Sequence, residues 1–269
     1  MAPPLAYTEH LPPPDLAPWV ACFWRIRGTV DGGAPYFHRV LPDGCADLLF
    51  DLGSARRAGG SPADLVGPMS QASLHPMQGT VDLLGIRLRP GVVNVFTGIP
   101  GDRVLDSAAP LAELPVALRP SIAALSEAPQ TALSCLVAAC RKRVAELDPP
   151  DALIRHALGR WSRAERGMPA VAVLARDIGL SERSFERRFV AQVGLSPVRY
   201  RRLARLRAVL KLHASGVRDW AHLAAATGFS DQSHLVRDCR VFTGLTPSEW
   251  AATQEPSVGF LQDGHLTAL

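Results

Sequence analysis

The chain writes one segment twice near its C-terminal end, and that repeat constrains the fold more than any other feature. Leu174, Ala175, Gly179, Ser184, Phe185, Arg187, Gly194, Ser196 and Pro197 are answered by Leu223, Ala224, Gly228, His234, Leu235, Arg237, Gly244, Thr246 and Pro247. The offset is 49 residues up to the first Gly and 50 beyond it, so the second copy has one extra residue at its turn. Two copies are too few for a solenoid, which needs about three or more stacked units. Each copy reads as a helix, a tight Gly turn and a second helix, the arrangement that sets a recognition helix in a DNA major groove.

Charge divides along the same line. Residues 1–150 hold 12 basic and 14 acidic residues, a balance of −2, whereas residues 151–269 hold 17 and 11, a balance of +6, which together give the +4 of the whole chain. Residues 176–211 alone carry 10 basic and 3 acidic side chains. The arginines there alternate with apolar positions at helical spacing, so they form a stripe on a folded surface, the electrostatic footprint of a nucleic-acid partner. An Arg-rich solvated helix face is the plainer reading, and the repeat argues against it.

In the first copy, residues 171–178 make the supporting helix, Gly179 the turn and Ser181 the N-cap of the next helix. With Phe185 pointing inward, steps of about 100° per residue turn Arg183, Glu186 and Arg187 outward. Arg pairs bidentately with guanine and Glu accepts from the cytosine amino group, so this triple has the chemistry of direct readout, although Glu186 also suits a solvated face. In the second copy Asp219 caps a helix through Thr227, and the next helix starts near Ser230 and Asp231. With Leu235 inward, Ser233 and Arg237 face out, flanked by Gln232 and His234; His234 suits a surface or packing role equally well. Residues 197–215 read as one long connector able to hold the two readers about one DNA turn, ~34 Å, apart. Ser181, Arg199, Arg202 and Arg205 are the candidate phosphate contacts.

The N-terminal part differs in kind. Residues 1–110 are dense in Pro and Gly, and the short apolar runs 19–26, 47–50, 81–88 and 92–96, bounded by turn signals such as Pro42-Asp43-Gly44, predict strands of a barrel or sandwich. Residues 111–147 turn Ala- and Leu-rich with helical spacing, and Asp148-Pro149-Pro150 ends them. The expectation is an α+β chain of two domains: a β-rich, barrel-like sensor or dimerisation domain over 1–148 with a helical linker at 111–147, and an all-α domain over 151–253. A loose tail covers 254–269.

Residues 151–250 resemble the DNA-binding domain of the AraC/XylS transcriptional regulators, through "LARDIGLSERSFERRFVAQVGLSPVRY" and "GFSDQSHLVRDCRVFTGLTPSEW". The resemblance implies two helix-turn-helix units joined by a long helix, with base contacts from Arg183, Glu186 and Arg187 and then from Gln232, Ser233, His234 and Arg237. Cys239 departs from the family, which usually has Phe there, and from Phe189 in this chain's own first copy; a smaller core residue implies different or looser packing. The segments "RVLPDGCADLLFDL", "LVGPM", "LLGIRLRPG" and "TGIPGDRVLD" resemble an uncharacterised cupin-like domain found before this DNA-binding region in some family members. A small barrel can hold a small-molecule effector in its mouth, and Arg39, Asp43, Asp47, Arg87 and Arg89 are the polar candidates; ion pairs and turn hydrogen bonds explain them as well.

The function expected is that of a non-enzymatic, cytoplasmic transcription regulator whose partners are double-stranded DNA, RNA polymerase, a small effector and a second copy of the chain, with no membrane and no cofactor. No run is apolar and long enough to span a membrane, and His10, His38 and His75 lie too far apart in sequence to read as a metal site. Two alternatives differ in class. A DNA-repair protein would carry a methyl-accepting cysteine beside a four-Cys zinc site, but Cys22, Cys45, Cys135 and Cys140 lack the paired spacing, which leaves Cys45 as a buried hydrophobe. An effector-independent dimer would pack Leu136, Val137, Cys140, Val144 and Leu147 of the 131–146 helix against a twin, and the domain's own core would accept them equally.

Overall fold

The computed structural model describes residues 5–31, 35–53, 60–113, 125, 131–162, 167–253 and 266–267. Much of the expected 111–147 linker, and the expected tail apart from residues 266–267, lie outside them. Strands β1 (Leu5–His10), β2 (Val20–Val30), β3 (Tyr36–Val40), β4 (Ala46–Asp51), β5 (Ala63–Val66), β6 (Ser73–Met77), β7 (Gly79–Leu88) and β8 (Ala108–Pro110) fill the N-terminal half. With β9 (Leu266–Thr267) they form a seven-stranded sheet in the order β8-β5-β4-β7-β2-β1-β9, while β3 and β6 pair only with each other. Neighbours run antiparallel except β1 and β9.

Alternation along the strands sends apolar side chains to both faces. Phe23, Leu48, Phe50, Leu84 and Ile86 meet α1 (Val93–Thr97) and α2 (Ala132–Val144) on one side. Trp24, Ile26, Leu49, Val81 and Leu83 meet Met77 and Tyr36 of the β3–β6 ribbon on the other. The expected barrel is therefore corrected to an open sheet: among the described residues β8 and β9 stand at its opposite edges and do not pair with each other, and the ribbon covers one face instead of closing a ring. The expected strand at 92–96 is also corrected. Val93, Phe96 and Thr97 are its buried residues, a spacing of three and four, and the segment forms a single helical turn ending on Gly98 in the left-handed region. Leu136, Val137 and Cys140 of α2 lie in the domain's own core, with Val144 and Leu147 packed against it, so this helix does not present them to a twin.

The described residues of 151–253 form helices joined by short turns: α3 (Ala152–Ser162), α4 (Val171–Asp177), α5 (Glu182–Val193), α6 (Pro197–Ala214), α7 (Trp220–Ala226), α8 (Gln232–Thr243) and α9 (Pro247–Ala252). The repeat's most regular residues are its boundaries. Gly194 and Gly244 end α5 and α8 at φ of 84° and 76°, a conformation in which a Cβ would be strained. Two residues later Ser196 and Thr246 cap the following helix, with Pro197 and Pro247 inside its first turn. None of the described helices is long and apolar enough to cross a membrane.

The two halves share packing. Leu41, 1% exposed, belongs to the same core as Leu195, Tyr200 and Phe242. A Cβ on Gly101 would stand 2.6 Å from the Gly194 nitrogen, so the end of α5 rests directly on N-terminal backbone. The end of α8 is held as well: Ala72 N–H donates to Phe242 O at 2.8 Å and Arg39 Nη1 to Thr243 O at 3.0 Å. Between them α6 is tied by Arg199 Nη2 donating to Ser70 O (2.9 Å) and Arg207 Nη1 to Asp43 O (3.1 Å).

Gly85, in the middle of β7, lets the Trp24 indole lie flat across the sheet: a Cβ there would stand 2.1 Å from the ring carbon Cε2. Replacing Gly85 by Ala is expected to displace the indole and lower stability by about 1 to 3 kcal/mol. Urea denaturation of the two proteins measures this, and equal midpoints would contradict the close packing of this face.

Candidate nucleic-acid interface

Helix α5 is a two-sided element. Phe185, Phe189 and Val193 are buried at four-residue spacing, and with Trp161 and Tyr200 they build an aromatic cluster in which Trp161 meets Phe189 edge-on at 5.7 Å. Arg183, Glu186 and Arg187 lie exposed on the opposite side. Ser181 caps the helix by accepting from the Ser184 N–H at 3.2 Å, which uses its hydroxyl internally. Arg188 faces elsewhere: with Gln192 it bonds Asp151, which also accepts from the Leu153 and Ile154 N–H groups at the start of α3. Burial works to raise the Asp151 carboxyl, but Gln192 and Arg188 more than offset it and hold it below the usual range.

The second unit is built differently. Gln232, Ser233 and Arg237 are exposed at and after the start of α8, whose N-cap Asp231 accepts from the His234 N–H at 2.7 Å. Cys239 is fully buried where the first copy has Phe189. Its neighbour Asp238, 1% exposed, takes Arg202 at 2.7 Å and Arg205 at 3.2 Å instead. Arg205 also donates to Gly228 O (3.1 Å) and to His234 Nε2 (3.1 Å), and its guanidinium lies 4.0 Å from the Phe229 ring centre. Arginine only donates, so His234 Nε2 accepts and Nδ1 is left to donate to Ser230 Oγ at 3.2 Å.

These positions redistribute the residues singled out from the sequence. Arg183, Glu186, Arg187, Gln232, Ser233 and Arg237 stand on the exposed sides of the two helices. His234 is half-buried with both ring nitrogens engaged, the packing reading of that residue. Arg205 is 9% exposed and bonds internal partners, Arg199 donates to Ser70 O, and Arg202 pairs with Asp238 while its side chain stays 39% exposed. Asp238 was not visible as a positioning residue. Its signal was a charge reversal within the repeat: it occupies the place of Arg188, where one copy pairs a half-exposed cation with Asp151 and the other buries an anion.

Of the five polar candidates in the N-terminal half, Asp47 and Arg87 line a cavity between the ribbon and the sheet. Arg87 is surrounded by Asp47 at 3.3 Å, Asp43 at 3.5 Å and Glu9 at 3.6 Å. Burial alone would lower the Arg87 pKa, and Asp47 and Asp43 more than offset it; burial raises that of Asp47. Arg39 reaches across to Thr243, and Arg89 donates to Ala17 O at 2.5 Å, so neither joins this cluster.

The model of a family described as "Helix-turn-helix domain" matches residues 174–253, which spans both units and the connector. Residues 174–253 are a helix-turn-helix domain. A second family, described as a domain of unknown function (DUF6597), matches residues 8–110. Among solved structures, the chain is similar to the DNA-binding domain of AdpA in complex with a target DNA, at 20% identity over 38% of this chain and 92% of that one, with a TM-score of 0.36. It is also similar to a regulator with an AraC-type DNA-binding domain from Chromobacterium violaceum, at 25% identity over 39% and 95%, TM-score 0.36. ToxT from Vibrio cholerae O395 aligns over 92% of this chain and 96% of its own, at 11% identity and a TM-score of 0.45. No curated protein matches the chain.

Removing the buried anion of the helix-turn-helix domain tests the second unit. Asp238→Ala leaves Arg202 and Arg205 facing one another without a counter-charge and is expected to cost about 3 to 5 kcal/mol. Chemical denaturation gives the loss, and amide exchange in α8 should accelerate more than in α5. Uniform exchange in both helices would contradict a role confined to the second unit.

Proposed function

We propose that the protein is a sequence-specific transcription regulator that lays α5 and α8 into adjacent major-groove segments of one duplex. The observation that carries the reading is the shared posture of the two helices. Each exposes polar side chains along its outer face and each is held at its C-terminal end by the N-terminal half, so neither can turn independently. In this reading Arg183, Glu186 and Arg187 read bases from α5, and Gln232, Ser233 and Arg237 read from α8. His234 orients the start of α8 rather than contacting a base. Of the four phosphate candidates Ser181 alone remains at an exposed helix start, where backbone N–H groups attract an anion.

The reading divides the chain near residues 148–151, with the N-terminal part as effector domain. RNA polymerase and a second copy are partners consistent with a regulator of this kind. A methyl-accepting cysteine is the weaker reading: Cys45 is buried, and burial drives its thiol well above the ordinary value, the reverse of an activated nucleophile.

Arg187→Ala and Arg237→Ala are each expected to weaken binding to the selected site by about 1 to 3 kcal/mol and to relax base preference locally. Selection from a genomic DNA pool followed by titration of each variant checks both effects, and unchanged affinity with unchanged preference would overturn the assignment. Arg205→Ala is expected to lower stability while leaving the slope of affinity against salt unaltered, because its charge is neutralised internally; a slope reduced by about one would return Arg205 to the phosphates.

A further inference from the structure

The cavity between the β3–β6 ribbon and the main sheet has an inner volume of about 70 Å³, walled by Trp24, Ile26, Leu49, Met77 and Leu83. It adjoins an outer cleft of about 400 Å³ that shares Val66, Gly67, Met69 and His75 with it. One wall residue is incomplete. His38 is 8% exposed, and its Nε2 has no hydrogen-bond partner. Burial, with a smaller contribution from His75 opposite, lowers the ring to about 4, so the imidazole is neutral near pH 7. A neutral ring nitrogen accepts or donates according to tautomer, and a hydroxyl can answer either.

Charge around the cavity narrows the choice further. Arg87 already faces Asp47, Asp43 and Glu9, three carboxyls to one guanidinium, and the outer cleft adds Asp106. An entering carboxylate meets this acidic excess; the cation lining the cavity, Arg87, has an Nη1 without a hydrogen-bond partner, but its charge already faces three carboxyls. An entering ammonium would lose its water beside Asp47, whose Oδ1 already accepts from Trp24 and Arg87.

We propose that this cavity binds a small uncharged amphiphile, an alkyl or aryl body bearing one hydroxyl that meets His38 Nε2. The proposal rests on the reading of the N-terminal half as an effector domain and names the ligand class of that site. The site abuts the DNA-reading helices: Ala72 lines the outer cleft and donates to Phe242 O at the end of α8, and the neighbouring Ser70 holds Arg199 of α6.

The test titrates 1-hexanol, hexanoate and hexylammonium into the full chain and follows amide shifts of Val40, Leu49 and Val66 by NMR. Hexanol is expected to saturate and to bind about tenfold or more tighter than either ion. His38→Leu should weaken hexanol about tenfold, whereas His38→Gln, whose amide both donates and accepts, should stay within about threefold of the parent. Met77→Phe, which fills the cavity from another wall position and keeps the imidazole in the chain, should abolish saturation and keeps the test valid if His38→Leu does not fold. Tighter binding of either ion, no saturable binding of hexanol, or indifference to both His38→Leu and Met77→Phe would overturn the proposal. Selective DNA binding by the same preparation is measured separately. If it persists while hexanol fails, the ligand class is wrong and the regulator reading stands; if it is absent, that reading fails on its own evidence.

Discussion

The docking of the N-terminal half against the ends of both reading helices is the constraint on which the remaining structure depends. A two-unit reader is useful only if its helices keep a fixed relative position, because a duplex presents successive major-groove segments at a fixed spacing. The connector α6 supplies part of that rigidity. The rest comes from outside the domain, through Gly101 under Gly194, Ala72 and Arg39 on the last residues of α8, and Leu41 inside the helical core. Full burial of one leucine contributes about 1.5 to 3 kcal/mol, and the backbone contacts add direction to it. Any shift of the loop at residues 69–72 or of the ribbon would therefore reach α8 first.

The two units achieve similar outer faces with unlike interiors. The first is an aromatic core of Trp161, Phe185, Phe189 and Tyr200, held by dispersion and shape. The second replaces Phe189 by Cys239 and places Asp238, Arg202, Arg205 and His234 where an all-apolar core would have none of them. Buried charge is a poor source of net stability but punishes misplacement severely, since any partner that moves leaves another unpaired. The second unit is thus positioned more by geometry than by packing density, which suits the helix whose end lies against the N-terminal half.

Much of this was legible in the residues. The repeat located both units, and Ser181, Asp219 and Asp231 marked their helix starts, because capping chemistry is local and the side chain that satisfies the first free N–H groups is visible in the string. The outward positions followed from helical period alone. What the string concealed was partnership across distance. Arg199, Arg202 and Arg205 look like a solvent-facing stripe on α6, yet their partners Ser70 and Asp238 lie 129 and 36 or fewer residues away. Residues 92–96 read as a strand because valine and phenylalanine favour one, while the spacing of Val93, Phe96 and Thr97 and the closing Gly98 favoured a helix; tertiary burial decided for the latter. The barrel expectation failed for a related reason, since apolar runs predict strands without saying which edges meet.

The acidic surplus around Arg87 explains why the cavity and the interface belong to one system. Asp43 uses its side chain toward Arg87 and the Cys45 N–H, while its backbone oxygen receives Arg207 of α6. Next to it Gly44 lies so close to Tyr200 that a Cβ would stand 2.5 Å from the ring. One short turn thus has its side chain in the N-terminal charge cluster and its backbone on the connector between the two readers. Moving Asp43 to suit one set of contacts must disturb the other, because both are close-packed and neither has slack to absorb the shift. A turn with that double commitment joins the interior of the sheet domain to α6, the connector between α5 and α8.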